Sequence, residues 1–164
     1  MTTVDIARRA WLRGQRPPPA PLRPPWALSE AAFTAACSRC QACVEACPEG
    51  ILLRGDAGFP TVDFRRGECT FCGCCVQACP EPAFGPVDAR AWRQTPQFGE
   101  ACLAQHGVVC HSCRETCEAG AIRLRFAAGR VPQPELDADA CTGCGACVAV
   151  CPVDAVSIVR TTDS

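Results

Sequence analysis

Two stretches of the chain alternate short apolar runs with a glycine-bearing turn, and each stretch predicts a β-hairpin. The first extends from Ile51 to Phe64 and turns around Gly55-Asp-Ala-Gly58. The second extends from Ala121 to Leu136 and turns around Ala127-Ala-Gly129. Two apolar runs joined by a few residues that include glycine are typical of a hairpin. Near the C-terminus, the alternation Val156-Ser-Ile-Val159 predicts a closing strand.

The segments outside the hairpins are less regular. Ser29-Glu-Ala-Ala-Phe-Thr-Ala-Ala36 predicts a helix, with the serine as its N-cap. Residues 81–101 carry Pro82, Pro86 and Pro96, so no hairpin is expected there. The pattern therefore repeats in two halves, each built around one hairpin, and it predicts an α+β fold with little regular secondary structure.

Composition shows that aliphatic packing alone does not fill the interior. Leu, Ile, Val and Phe make up about a fifth of the 164 residues, near the lower limit for a chain that builds its own core. The formal net charge of −1 argues against a self-repelling disordered chain and against a general nucleic-acid binder. No apolar stretch approaches the roughly 20 residues of a membrane span. Cysteine is the unusual component, with 17 residues.

Sixteen cysteines fall into four groups. Three groups have the spacing C-x2-C-x2-C-x3-C-P, the run that holds 4Fe–4S clusters in bacterial ferredoxins. The regular groups are group one, with Cys37, Cys40, Cys43 and Cys47; group two, with Cys69, Cys72, Cys75 and Cys79; and group four, with Cys141, Cys144, Cys147 and Cys151. The irregular group three consists of Cys102, Cys110, Cys113 and Cys117. Its first gap is widened to seven residues, and Glu118 stands where the proline is expected.

The spacing has a physical reason. Cysteines at i, i+3 and i+6 let one tight loop supply three corners of a cubane, and the fourth cysteine follows a short helical turn. The proline after it prevents the helix from continuing. Zinc is the alternative, but zinc sites usually take two separated C-x2-C pairs and close at four ligands. Four 4Fe–4S clusters are therefore expected, or three if the irregular group is not a cluster site.

Two ligand schemes use the same sixteen cysteines. In two-cluster ferredoxins the fourth cysteine ligates the other cluster. The crossed sets are then Cys37, Cys40, Cys43 and Cys79 for cluster one; Cys69, Cys72, Cys75 and Cys47 for cluster two; Cys102, Cys110, Cys113 and Cys151 for cluster three; and Cys141, Cys144, Cys147 and Cys117 for cluster four. In the local scheme each group closes its own cluster.

Three further side chains near the groups are not expected to be ligands. Cys74 lies inside Cys72-Gly-Cys-Cys75, and making it the third ligand would break the register shared with the other groups. We interpret it as a spare small residue. His106 and His111 belong to the irregular group, where four cysteines are already available, so we expect solvent or loop contacts for both.

The predicted organisation is a tail followed by two ferredoxin-like units with cluster-filled cores. Residues 1–28 form an Arg/Pro-rich N-terminal tail, residues 29–90 the first two-cluster unit and residues 91–164 the second. A mobile tail is the simpler interpretation of its composition. The alternative is a docking segment that uses Arg and Trp, which are favoured at interfaces.

The chemistry favours electron transfer in the cytoplasm over an enzyme. A cluster with four thiolate ligands has no open coordination position, and the sequence shows neither a phosphate-binding glycine loop nor a Ser/His/Asp set. Arg8-Arg9 is followed by Arg13, Arg16 and prolines, whereas a twin-arginine export signal continues into an apolar segment. The cysteine count is odd and no secretory signal is evident, which favours reduced thiols and a cytoplasmic location.

Several elements outside the cysteine runs carry a resemblance to a known family. They are Arg8-Arg9-x-x-Leu12-x-Gly14, Arg23-Pro-Pro-Trp26, Arg54-Gly55 with Gly58-Phe-Pro60, Arg90-Ala-Trp92 and the irregular group starting at Ala101-Cys-Leu-Ala104. Over roughly residues 6 to 160 the chain resembles the NapF family of ferredoxin-type proteins. The resemblance implies a cytoplasmic accessory protein that acts on the NapA-like catalytic subunit of periplasmic nitrate reductase before its export.

Two other roles remain open from the residues alone. The chain could serve a cytoplasmic reductase as a general electron-transfer ferredoxin, whose electron donor the sequence does not identify. It could also be a non-redox interaction module in which the clusters only hold the fold. A carrier would lose its function when its reduction potentials are shifted, whereas a purely structural module would tolerate such changes.

Overall fold

The computed structural model describes residues 21–160. Its α-helices are short, and four of the five contain only one turn. They are α1 (Glu30–Ala36), α2 (Ala42–Glu45), α3 (Cys74–Gln77), α4 (Ser112–Glu115) and α5 (Ala146–Ala149). Two 3₁₀ turns, Asp56–Gly58 and Leu103–His106, complete the helical structure of the described residues. No helix in this range is long and apolar enough to cross a membrane.

Within the described residues, six strands pair into three antiparallel two-stranded sheets. The strands are β1 (Leu52–Arg54), β2 (Pro60–Val62), β3 (Gln94–Phe98), β4 (Ile122–Arg125), β5 (Gln133–Leu136) and β6 (Val156–Arg160). The pairs are β1 with β2, β4 with β5, and β3 with β6. This small mixed arrangement agrees with the predicted α+β class.

The two hairpins, the first helix and the closing strand are confirmed. Leu52 pairs with Val62 in the first hairpin, and Ile122 pairs with Leu136 in the second. Helix α1 begins after Ser29, whose side chain accepts a hydrogen bond from the Ala32 backbone N–H. A serine in this position satisfies one of the backbone donors that a helix start leaves unpaired.

Strand β3 was not predicted, because proline usually interrupts a strand. Pro96 lies opposite Ile158 in the ladder between β3 and β6. Each strand of a two-stranded sheet has one free edge, where the missing proline N–H breaks no ladder hydrogen bond. In the described part of the first half, the only pairing outside the hairpin is a bridge between Ala27 and Phe84. The two halves are thus related but not identical.

The expected tail is in part an integral piece of the fold. Residues 1–20, including Arg8 and Trp11, lie outside the described residues, but 21–28 pack closely against the rest of the chain. Arg23 and Trp26 are each only 8% exposed. The Arg23 guanidinium lies 5.6 Å from the ring centroid of Phe33 and 5.4 Å from that of Phe59, and it pairs with Glu30 at 2.6 Å. A mobile tail therefore does not describe this segment.

Cysteines form part of the core of each half. Cys43 and Cys75 are buried together with four large side chains of the first half, which are Ile51, Leu52, Val62 and Phe64. Cys147 is buried with Ile122 and Val156 in the second half. Val148 packs against both of these clusters, so the two halves share a continuous contact.

The halves meet where the second and fourth cysteine groups approach each other. The backbone N–H of Cys69 donates a hydrogen bond to the carbonyl of Cys144 at 2.9 Å. The ring of Phe64 packs so closely on Gly145 that a Cβ at residue 145 would overlap it. Trp92 joins this contact edge-on, with its ring centroid 5.6 Å from that of Phe64. The fold thereby places two cysteine loops from different halves side by side.

Candidate iron–sulfur centres

Four cysteines from two groups line a single small cavity in the first half. It is lined by Cys47, Cys69, Cys72 and Cys75. Cys47 belongs to group one, and the other three belong to group two. Ile51, Trp26 and Pro48 close the apolar wall around them. The composition of this cavity is that of the crossed set for cluster two.

The second half contains two cavities of the same kind. One is lined by Cys117, Cys141, Cys144 and Cys147. The other is lined by Cys102, Cys110, Cys113 and Cys151. Each combines three cysteines of one group with the fourth cysteine of the other group. The irregular group three thus forms a cavity like those of the regular groups, despite its widened gap.

The pKa of Cys43 indicates the surroundings of the remaining crossed set, which is that of cluster one. Burial raises the pKa of the Cys43 thiol to about 11, and the negative charges of Cys79, Cys37 and Cys40 add to this rise. Cys79 comes from group two, so its influence on Cys43 places it beside group one. Three of the four crossed sets expected from the sequence therefore each line one cavity, and the four cysteines of the remaining set lie close enough to influence one another.

The crossing follows from the short helices. In every group a one-turn helix lies between the second and fourth cysteines, and it begins directly before the third. The helix moves the fourth cysteine away from the loop that holds the first three. Helix α2 packs against α3, and α4 packs against α5. Each helix pair therefore exchanges its fourth cysteines between the two adjacent sites.

The loop before each helix curls through a left-handed residue in three of the four groups. Gln41, Gly73 and Gly145 precede their helices with φ of 71°, 74° and 85°. A glycine meets this requirement at little steric cost. In group three the residue is His111, with φ of −125°, so the irregular group also enters its helix differently.

The cavities are electrostatically suited to a cationic guest. Burial raises the pKa of Cys75 and of Cys147 to about 12, and neighbouring cysteine charges contribute further. Several thiolates so close together and so poorly solvated require a compensating positive charge. Backbone N–H groups also point at the sulfurs, from Phe71 to Cys69 Sγ at 3.4 Å and from Ala155 to Cys151 Sγ at 3.2 Å.

The geometry suits a cluster better than one ion. Within residues 21–160, no three His, Cys, Asp or Glu side chains converge as the ligands of a single metal ion do. The cysteines instead surround a central space in sets of four. A 4Fe–4S cubane takes its thiolates at its outer corners, so it requires such an arrangement.

The side chains that the sequence left out of the ligand sets differ in their surroundings. Cys74 does not line the cavity to which Cys72 and Cys75 contribute. His106 makes the expected loop contact, with Nε2 at 2.9 Å from the carbonyl oxygen of Glu100. His111 departs from the expectation, because its Nδ1 is buried and has no hydrogen-bond partner among the described residues.

Sequence reasoning missed the contact between the halves and the role of the residues at the helix starts. The sequence did not indicate that Gly145 packs against another residue, since a glycine in a cysteine loop is explained by the turn alone. A comparison of the four groups at equal offsets from their third cysteine would have identified Ser112 and Cys74 as the polar members of a series that otherwise contains alanine.

Comparison with known proteins defines the class of this chain. Residues 36–83 and 108–155 each match the family model described as a 4Fe-4S dicluster domain. The first matched segment contains groups one and two, and the second contains group four together with group three except for Cys102. The chain is thus a ferredoxin with two dicluster domains in tandem.

Relatives over the full length narrow the assignment. The chain is 44% identical to the ferredoxin-type protein NapF of Haemophilus influenzae, with 96% of both chains covered. It is also 44% identical to NapF of Escherichia coli K12, with 94% of both chains covered. The ferredoxin-type protein NapG of Haemophilus influenzae is 32% identical over 84% of this chain and 57% of its own length. The chain belongs to the NapF family of ferredoxin-type proteins.

Proposed function

We propose that the sixteen cysteines bind four 4Fe–4S clusters in the crossed sets and that the protein transfers electrons rather than catalysing a reaction. Three cavities, each lined by the four cysteines of one crossed set, carry this proposal. The clusters supply one-electron transfer when bound. The protein contributes thiolates that leave no coordination position open, apolar walls that exclude water, and backbone N–H groups that face the sulfurs.

The contact between the halves supports one continuous path through the four proposed sites. In the proposed sets, cluster two includes Cys69 and cluster four includes Cys144; the hydrogen bond between these residues supports an arrangement in which the two sites are neighbours. Clusters one and three then occupy the ends. The order in space is one, two, four, three, and an electron that enters at one end can reach the other through adjacent sites.

Family membership supports a proposal for the physiological target. We assign the protein to the cytoplasmic maturation of the NapA-like catalytic subunit of periplasmic nitrate reductase, with electron delivery to that subunit before export as the means. The family resemblance over the whole chain supports this role. A cytoplasmic location fits the thiols, because all seventeen cysteines are free and cluster binding requires them in the reduced state.

The test is an anaerobic pull-down with the tagged protein from nitrate-grown cells, followed by mass spectrometry. Recovery of a molybdoenzyme subunit that still carries its export signal is expected. Deletion of the protein should leave that subunit exported but poorly active. Recovery of cytoplasmic reductases or flavoproteins alone would contradict the maturation role and support a general electron-transfer ferredoxin.

A matched pair of variants tests whether the function of the protein in cells depends on its clusters. Cys141→Ala removes one ligand of cluster four, and Cys74→Ser changes a cysteine outside all four sets. Complementation of the deletion strain should fail with the first variant and succeed with the second. Full nitrate reductase activity with Cys141→Ala would show that cluster four is dispensable and would contradict electron delivery along the four-cluster path.

A further inference from the structure

The four one-turn helices start at equivalent positions but with different residues. Each begins at the residue directly before the third cysteine of its group: Ala42, Cys74, Ser112 and Ala146. Two of these residues carry a side chain that can donate a hydrogen bond, and two do not. At this helix position, the sites of clusters two and three therefore have a donor that the sites of clusters one and four lack.

Ser112 is placed to donate to a ligand of cluster three. Its Oγ lies 3.8 Å from Cys110 Sγ, and Ser112 lines the same cavity as the four cysteines of that set. Cys110 bound to iron is a thiolate and has no proton to give. The serine hydroxyl must then be the donor of this contact.

Cys74 makes the corresponding contact in cluster two. Cys74 starts the helix of group two as Ser112 starts that of group three, and its side chain interacts with that of Cys72. The same helix position thus brings a polar side chain to the second cysteine of its group in two sites.

We propose that Cys74 and Ser112 are positioning residues that raise the reduction potentials of clusters two and three relative to clusters one and four. Each cluster gains one electron from an external one-electron donor; no covalent bond forms or breaks, and no proton is transferred. The added electron increases the negative charge on the ligand sulfurs. A hydrogen bond to sulfur stabilises that charge, and such bonds are among the determinants of the potential of a cluster.

The proposed donors make the reduction potentials of the clusters differ along the path. With the spatial order one, two, four, three, the sites with a donor alternate with the sites that have alanine. Electrons then reside preferentially on clusters two and three, one in each half. This inference rests on the proposed ligand sets, so its test has to separate the two.

The experiment is an anaerobic redox titration of the holoprotein with dithionite, followed by electron paramagnetic resonance. Ser112→Ala and Cys74→Ala should each lower the potential of one cluster. The ratio of reduced to oxidised cluster at fixed ambient potential should fall about two- to tenfold, the range of one net hydrogen bond. A tenfold change corresponds to about 59 mV for one electron. Ser112→Thr and Cys74→Ser keep a donor and should restore the original potential.

The opposite substitution, from alanine to a residue with a donor, can be made at the two helix starts that have alanine. Ala42→Ser and Ala146→Ser introduce a hydroxyl at the equivalent helix start and should raise the potential of cluster one or four. These gains do not depend on whether the alanine substitutions weaken the fold. Iron and sulfide are measured on every sample, and about sixteen of each per chain are expected for four clusters.

The outcomes separate the inference from the ligand assignment. Potentials that stay unchanged at full iron content, in both the loss and the gain variants, overturn the role of Cys74 and Ser112 alone. A wild-type content well below sixteen iron overturns the ligand assignment and this inference with it. A fall after Ser112→Ala together with a rise after Ala146→Ser supports it.

Discussion

The ring of Phe64 rests directly on Gly145, and this contact joins the two halves of the protein. Phe64 lies after the first hairpin and is only 3% exposed. Gly145 has φ of +85° and precedes the helix of the fourth cysteine group. The position therefore requires glycine for two separate reasons, its backbone conformation and the space that the ring occupies.

Gly145→Ala should weaken the contact between the halves and destabilise clusters two and four. A left-handed alanine costs about 1–2 kcal/mol, and overpacking against the ring adds about 1–3 kcal/mol. The measurement is the temperature at which the cluster absorbance bleaches under anaerobic conditions. We expect a clearly lower midpoint than in the wild-type protein.

Gly129→Ala is the matched control for the cost of placing alanine in a left-handed backbone conformation. Gly129 also has a positive φ, of 71°, but nothing lies within 4 Å of the position a Cβ would take. It should lower the midpoint less than Gly145→Ala does. Equal effects of the two substitutions would mean that Phe64 contributes nothing at this position.

The sequence predicted the local elements better than the contacts between them. The first hairpin was evident because Leu52 and Val62 belong to apolar runs on either side of a glycine turn, and the helix after Ser29 had a recognisable cap. Strand β3 escaped prediction because Pro96 is tolerated only at the free edge of a two-stranded sheet. That edge is a property of the assembled fold.

The N-terminal segment shows the same limit. Arg23, Pro24 and Trp26 have the composition of an unstructured tail, yet Arg23 is enclosed by Phe33 and Phe59. Both rings come from later parts of the chain, so the sequence near residue 23 holds no sign of them. The cysteine sets, by contrast, were predictable because one repeated spacing determines each loop.

Crossed ligation can be tested by counting iron in double variants. In the crossed scheme Cys117 and Cys141 ligate the same cluster, so Cys117→Ala with Cys141→Ala should remove one cluster and leave about twelve iron per chain. In the local scheme these residues serve two clusters, and about eight iron should remain. The measurement is iron and sulfide analysis after anaerobic purification.

A second pair of substitutions has the opposite expected iron content in the two ligand schemes. It therefore controls for general instability. Cys117→Ala with Cys110→Ala affects two clusters in the crossed scheme and one in the local scheme. The crossed scheme therefore predicts more iron in the Cys117/Cys141 variant than in the Cys117/Cys110 variant. The opposite order would establish local ligation.

Removal of the clusters should unfold most of the chain. Cys43, Cys75 and Cys147 are part of the buried core, and the sheets have only two strands each. Without the clusters, the cavities that the cysteines line are empty. Because metal binding is coupled to folding in such proteins, the loss of the clusters should unfold the chain. Chelation of iron under anaerobic conditions, followed by circular dichroism, should show loss of most secondary structure. Retention of the native spectrum in the iron-free chain would contradict a cluster-supported core.

Arg23→Ala should destabilise the first half. The guanidinium donates to Glu30 and to the Pro60 carbonyl at 2.9 Å, and it is almost fully buried. Its removal leaves these acceptors without their donor, which costs about 2 kcal/mol for hydrogen bonds to a charged group. Bleaching of the clusters should therefore begin at a lower temperature. Arg65→Ala is the control, because its ion pair with Asp63 is exposed to solvent and should leave the midpoint unchanged.

The Arg23–Glu30 pair also predicts a dependence on pH. The hydrogen bond from Arg23 is the main cause that lowers the pKa of Glu30 below its ordinary value of 4.5. The carboxylate therefore contributes its stabilisation fully above pH 4.5, and the contribution is lost as the pH falls through the lower pKa of the folded state. Glu30→Gln should lower the bleaching midpoint at pH 7, and its difference from the wild-type protein should shrink below pH 4.5. A difference that stays constant down to pH 3.5, about one unit below the ordinary pKa, would contradict the assignment.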